Sequence, residues 1–240
     1  IISEKGWVRA RTGHGHDPAS FTFKAGDTLY RAFECRTVDT LLAFGSNGRV
    51  YSVPVAGLPG ARGDGQPVLT LIELEAGTQL LHYFAGPSQA QLLLSGSGGY
   101  GFIAQVGDMI SRQRGGKAFI TCNAGETVCA PSSIGGTSGS VPVPEATHIA
   151  CASAGGRLLT FPIGELRTMP NGGRGLMLMS LEDKDVLIGA AAYTRSIRVQ
   201  GTGRGGKPRE ETLEIRSLNN AAAARGRKGK AADWGFKPQR

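Results

Sequence analysis

A chain of 240 residues with 40% hydrophobic content is long enough for one or two globular domains with a buried core. A net charge of +8 and a pI near 9.6 favour a polyanionic partner. No apolar run approaches the ~20 residues of a membrane helix, and Glu4 and Lys5 interrupt the N-terminus before a signal sequence can form, so a soluble cytoplasmic protein is expected.

The 37 glycines fall between apolar runs and not in a low-complexity tract, which reads as many turns and short strands, an all-β chain. After an N-terminal portion (1–26) with a strand around Trp7, three hairpins follow one another. Each has a short apolar strand (Leu41 to Phe44, Leu92 to Leu94, His148 to Cys151) and a tight turn at Asn47-Gly48, Gly98-Gly99 or Gly155-Gly156. Asn-Gly and Gly-Gly supply the positive φ such turns require. A second strand then ends near Val55, Val106 or Ile163. The turn glycines Gly48, Gly99 and Gly156 are 51 and 57 residues apart.

A basic loop recurs at the same interval. Arg62-Gly63, Arg114-Gly115, Arg174-Gly175 and Arg225-Gly226 are separated by 52, 60 and 51 positions, close to the length of a propeller blade. The repeats predict a single domain over 1–240 with units at about 27–76, 77–126, 127–185 and 186–236. Helix has weak support: 220–232 has a helix-forming composition but no apolar stripe. Residues 201–240 hold ten Lys/Arg against four Asp/Glu, so positive charge concentrates in loops and at the C-terminal end.

Other motifs read as local structure. Gly96-Ser97-Gly98-Gly99-Tyr100-Gly101 fits a dinucleotide fingerprint in letters, but Phe102 to Val106 continues as a strand where that fingerprint must open a helix. Gly201 to Lys207 spells a phosphate loop, yet Pro208 stands where a Ser or Thr hydroxyl should ligate magnesium. His14-Gly15-His16-Asp17 reads as a solvated turn, and Arg62-Gly63-Asp64 as a basic loop and not an adhesion signal. Cys35, Cys122, Cys129 and Cys151 lack paired metal-binding spacing and read as reduced core or near-core thiols, with His148 completing no zinc pattern. No nucleophile with a spaced base is visible, so catalysis and cofactor binding within this chain are not expected.

For any one basic loop, a solvated turn is the plain alternative. Four loops in register would form a continuous rim on a propeller-like disc. Without aromatic residues at base-stacking intervals, such a rim suits the backbone of duplex DNA better than a single strand. The candidate nucleic-acid-binding residues are Arg62, Arg112, Arg114, Lys117, Arg174, Arg204, Lys207, Arg225, Arg227, Lys228 and Lys230. A protein-binding propeller scaffold is the alternative function.

Gly6-Trp7-Val8-Arg9, Lys24-Ala25-Gly26-Asp27, Gly99-Tyr100-Gly101-Phe102 and Arg114-Gly115-Gly116-Lys117-Ala118 resemble the C-terminal domain of the A subunits of bacterial topoisomerase IV (ParC). The resemblance implies a β-pinwheel of five or six blades, five by the repeat count; the recurring hairpins predict that the N-terminal strand around Trp7 joins the C-terminal segment near Trp234. It also implies a non-catalytic DNA-binding and DNA-bending role on the outer edge, in decatenation, supercoil relaxation and chromosome segregation. The whole enzyme would be a heterotetramer with ParE that uses ATP and magnesium, located in the cytoplasm at the nucleoid. Its cleaving tyrosine would lie outside this chain. The related gyrase protein carries a Q-R-R-G-G-K-G loop; here Arg112-Gln113-Arg114-Gly115-Gly116-Lys117-Ala118 exchanges the first two letters and ends in Ala118. That departure points away from strong gyrase-like wrapping and towards selection of DNA crossings.

Overall fold

In the computed structural model, the described residues are 1–240 apart from 139, 140, 233, 235 and 240, with backbone alone over 136–138 and 141–143. Five antiparallel sheets stand as blades in a ring. Each is built on a hairpin: Ile2–Ser3 with Trp7–Val8, Thr40–Gly45 with Arg49–Pro54, Gln91–Ser95 with Tyr100–Gln105, His148–Ser153 with Arg157–Pro162, and Ser196–Thr202 with Pro208–Glu214. In blades 1 to 4 a third strand pairs with the first hairpin strand: Leu29–Arg31, Leu80–Gly86, Ser132–Ser133 and Leu187–Tyr193. A separate two-stranded hairpin, Gly136–Ser138 with Val141–Val143, stands apart from the five.

The turns form where the sequence supplies glycine. Gly48, Gly99 and Gly156 adopt φ of 81°, 85° and 80°, the left-handed region that only glycine enters without cost. Each second strand then runs into a single helical turn beginning at Val55, Val106 or Ile163. These are the points where the sequence predicts the strands to end.

Four apolar clusters hold the ring, each between successive blades. Leu41, Ala43, Tyr51 and Val53 face blade 1, whereas Leu42, Phe44 and Val50 of the same hairpin face blade 3. Leu92 and Leu94 turn to blade 2, and Leu93 packs with Ile149, Leu159 and Phe161 of blade 4. A strand buried on both faces has no polar side to show, which is why these segments read as unbroken apolar runs and not as alternation.

The Ala-rich stretch 220–232 is a turn and a short strand, in keeping with its lack of an apolar stripe; Thr160 bridges Ala222 and the nearest helical turn is Ile215–Asn219. Two expectations need correcting. Trp234 packs with Ala150, Leu158, Ile197 and Val199 between blades 4 and 5, while Trp7 pairs with Pro67 in blade 1; among the described residues no strand pairing joins the two segments. Finally, Leu80–Gly86 belongs to the sheet of Thr40–Gly45, so a unit cut at 76/77 lies out of phase with the sheets.

Candidate nucleic-acid interface

The repeat that matters for function is a crossing. After each hairpin the chain returns to the preceding blade and adds a two-residue fourth strand to its exposed edge: Gln66–Pro67 to blade 1, Lys117–Ala118 to blade 2, Leu176–Met177 to blade 3 and Lys230–Ala231 to blade 4. The register is the same each time, the first residue opposite Val8, Val50, Gly101 or Leu158. The basic loops are the segments that make these crossings.

Glycine and arginine play separate parts in them. Gly65, Gly116, Gly175 and Gly229, each directly before a fourth strand, have φ of 84°, 59°, 81° and 74°. A Cβ on them would come 2.2, 2.3, 2.2 and 2.5 Å from the carbonyl oxygens of Val8, Val50, Gly101 and Leu158. These glycines let the crossing chain lie against the blade and do not face outward. Beyond each fourth strand the chain is fastened to a hairpin turn: Val68 N–H donates to Gly6 O, Ile120 to Gly48 O, Leu178 to Gly99 O and Ala232 to Gly156 O.

In blades 2 to 4 the residue after the turn glycine contacts the incoming segment. Arg49 donates to the carbonyls of Gly115 (3.1 Å) and Gly116 (3.3 Å), and Arg157 to that of Gly229 (3.3 Å). Tyr100 lies under the Arg174 guanidinium at 4.2 Å, and Trp7 under Lys24 at 3.5 Å. Arg9, only 7% exposed, donates to Gly63 O and Thr22 O and so ties the first basic loop down. Sequence reasoning missed these anchors; the signal was a basic or aromatic residue after every hairpin glycine (Trp7, Arg49, Tyr100, Arg157, Lys207).

The candidate cations divide into open and engaged. Among the described residues, Arg62, Arg112, Arg204, Lys207, Arg227 and Lys230 are exposed and form no ion pair. Arg114 is exposed and donates to Thr70 O at 3.0 Å; Lys117 is half-buried, its Nζ 5.3 Å from the Phe119 ring centre. Arg174 is bound to Glu126 at 2.9 Å, and Lys228 to Glu182 at 3.4 Å. Arg225 donates to Met177 O at 2.6 Å while its own N–H bonds Glu165. Arg204 and Lys207 lie in the hairpin turn of blade 5, a different element from the crossing loops. Blade 5 has no fourth strand among the described residues, and Pro208, at the place of Val8 and Val50, has no N–H to offer one.

The remaining motifs are structural. Gly99 through Gln105 is turn and strand. Asp17 accepts from Ala19 N–H to cap a short helical turn, and His16 contacts Thr12 O. Cys129 and Cys151 sit in the core between blades 3 and 4, where burial pushes the Cys151 thiol pKa up.

The chain matches a family model described as the DNA gyrase C-terminal domain, beta-propeller, over residues 39–74 and 147–193. The first stretch is the blade 2 hairpin with its crossing to blade 1. The DNA topoisomerase 4 A-type protein of Neisseria gonorrhoeae is 38% identical over 96% of this chain, and that of Haemophilus influenzae 31% identical over 98%. The chain spans 29% and 31% of the length of these relatives. The Escherichia coli ParC C-terminal domain has the same fold, with a TM-score of 0.80 and 26% identity over 100% of this chain and 95% of that one. Along almost its full length the chain is similar in sequence to DNA topoisomerase 4 A subunits, and its five-bladed ring has the fold of the ParC C-terminal domain.

Proposed function

We propose that this domain binds the backbone of duplex DNA along the edge carrying its crossing loops, and bends it, as the non-catalytic C-terminal domain of a type IIA topoisomerase. The observation that supports the reading is the recurrence of the crossing: Arg62, Arg112 with Arg114, Arg174, and Arg227 with Lys230 belong to the segments that lead into the fourth strands of successive blades. Phosphates spaced along a curved duplex are the ligand such an array suits, and side chains contacting phosphate position DNA without reading its sequence.

The cleaving tyrosine belongs to another part of the enzyme on this reading. Tyr51 is wholly buried, Tyr83 and Tyr193 are nearly so, and Tyr100 lies beneath Arg174. The complete enzyme would pair the full-length protein with ParE, use ATP and magnesium outside this domain, and act in the cytoplasm at the nucleoid. The domain's part is to hold the segment chosen for strand passage. Among the described residues no helix is long and apolar enough to cross a membrane.

Titrating the domain against linear, negatively supercoiled and positively supercoiled DNA in a gel-shift assay tests the reading. Sequence-tolerant binding that weakens steeply with salt is expected. Absence of binding at low salt refutes it and leaves the fold as a protein-binding scaffold.

A further inference from the structure

A turn next to each crossing recurs with a complementary charge. The backbone bonds Asp27 N–H to Lys24 O, Thr78 to Glu75 O, Glu126 to Asn123 O and Asp185 to Glu182 O repeat one turn in four blades. From it Lys24 reaches Asp64 (4.0 Å), Glu75 reaches Arg49 (3.5 Å), Glu126 reaches Arg174 (2.9 Å), and Glu182 reaches both Arg157 (3.1 Å) and Lys228 (3.4 Å). Glu75 meets an anchoring arginine, and in blade 1 the polarity is reversed. In blades 3 and 4 the carboxylate takes a cation of the crossing loop itself.

We infer that Glu126 and Glu182 are internal phosphate substitutes that mask Arg174 and Lys228, grading the DNA interface from open at blade 2, through partly masked at blade 4 where Arg227 and Lys230 stay outside any ion pair among the described residues, to self-neutralised at blade 3. This deepens the duplex-binding reading and rests on it. The Arg174–Glu126 pair is well placed for the role: its side chains are only 27% and 20% exposed, and the guanidinium is stacked against Tyr100. A phosphate must therefore displace a short, partly desolvated ion pair before it gains the arginine. By contrast, among the described residues no carboxylate pairs with Arg112, Arg114 or Lys117 of blade 2, or with Arg204 and Lys207 of blade 5. DNA then settles first on blade 2, and recruitment of blades 3 and 4 is the step at which bending is resisted.

The test is the salt dependence of binding to linear duplex by E126Q and E182Q, which keep an acceptor oxygen for their backbone and side-chain donors. The control is D183N, which removes the same charge from an exposed neighbour in no ion pair among the described residues. Each freed cation should steepen the log-log slope by about 0.9, an extra loss of about 3.5-fold between 50 and 200 mM salt, with tighter binding at the low end. D183N should leave the slope unchanged. Adding R174Q to E126Q should cancel the gain. Unchanged slopes in E126Q and E182Q, an equal change in D183N, or a gain that survives R174Q overturns masking. Loss of wild-type binding at low salt would instead refute the duplex-binding reading beneath it.

Discussion

Gly115 and Gly116 are neighbours in one basic loop, and the structure gives them opposite sensitivities to a single methyl group. Gly116 has a φ of 59°, and a Cβ there would meet Val50 O at 2.3 Å and Tyr51 Cδ1 at 3.0 Å. The left-handed backbone alone costs about 1–2 kcal/mol for alanine. Relief of the collision requires Lys117–Ala118 to move off Arg49 and Val50, and each hydrogen bond so weakened is worth about 0.5–1.5 kcal/mol. Gly116→Ala is therefore expected to destabilise by about 2–4 kcal/mol, lowering Tm by about 5–15 °C in a domain of this size. Gly115 lies outside the positive-φ set, and a methyl group added to it would meet nothing within 4 Å, so Gly115→Ala should leave Tm within about 2 °C. Thermal unfolding followed by circular dichroism at the β-sheet minimum measures both. Equal shifts for the two variants would refute the assignment of the glycine repeat to chain crossing.

Leu93→Ala, at a fully buried site between blades 3 and 4, should destabilise by about 2–5 kcal/mol, read as a lower denaturant midpoint with little change in slope. The Tyr83 phenol is pushed up to about 12, by burial first and by the Tyr30 and Glu4 charges next, so the folded state holds a proton that the unfolded chain releases near pH 10. That stability is fully present below pH 10 and is lost as pH rises towards 12; Tyr83→Phe should move the alkaline unfolding midpoint upward, and an unchanged midpoint counts against it. Arg49→Leu removes both donors that hold the Gly115 and Gly116 carbonyls, so amide exchange at Gly116 and Lys117 should accelerate while the blade 4 crossing is unaffected.

What the sequence reveals and conceals follows from the range of the interactions involved. The hairpins at Gly48, Gly99 and Gly156 are legible because a tight turn is decided by residues beside it. The fourth strands are not: Lys117 pairs with Val50 and Lys230 with Leu158, tens of residues away, and two residues carry no periodicity. Only the repeat of the loops betrayed them, and it fused two signals, a glycine required by the blade and an arginine offered to a ligand. The engaged state of Arg174 was hidden for the same reason, since Glu126 reaches it from a distant turn. At the C-terminus the missing apolar stripe outweighed composition: Ala221 is buried beside Leu218 and Trp234, and packing between blades 4 and 5 overrides the helical preference of the alanines.

The salt dependence of duplex binding by an Arg112→Gln, Arg114→Gln, Lys117→Gln triple variant tests the account most directly. These three cations occupy the crossing loop of blade 2, and among the described residues none is held by a carboxylate. If all three touch phosphate, the log-log slope should flatten by up to ~2.7 relative to wild type. Tm should change little, because Arg112 and Arg114 are exposed and glutamine keeps most of the half-buried Lys117 stem over Phe119. Unchanged affinity and slope in a folded triple variant would contradict the account and return the basic loops to ordinary solvated turns.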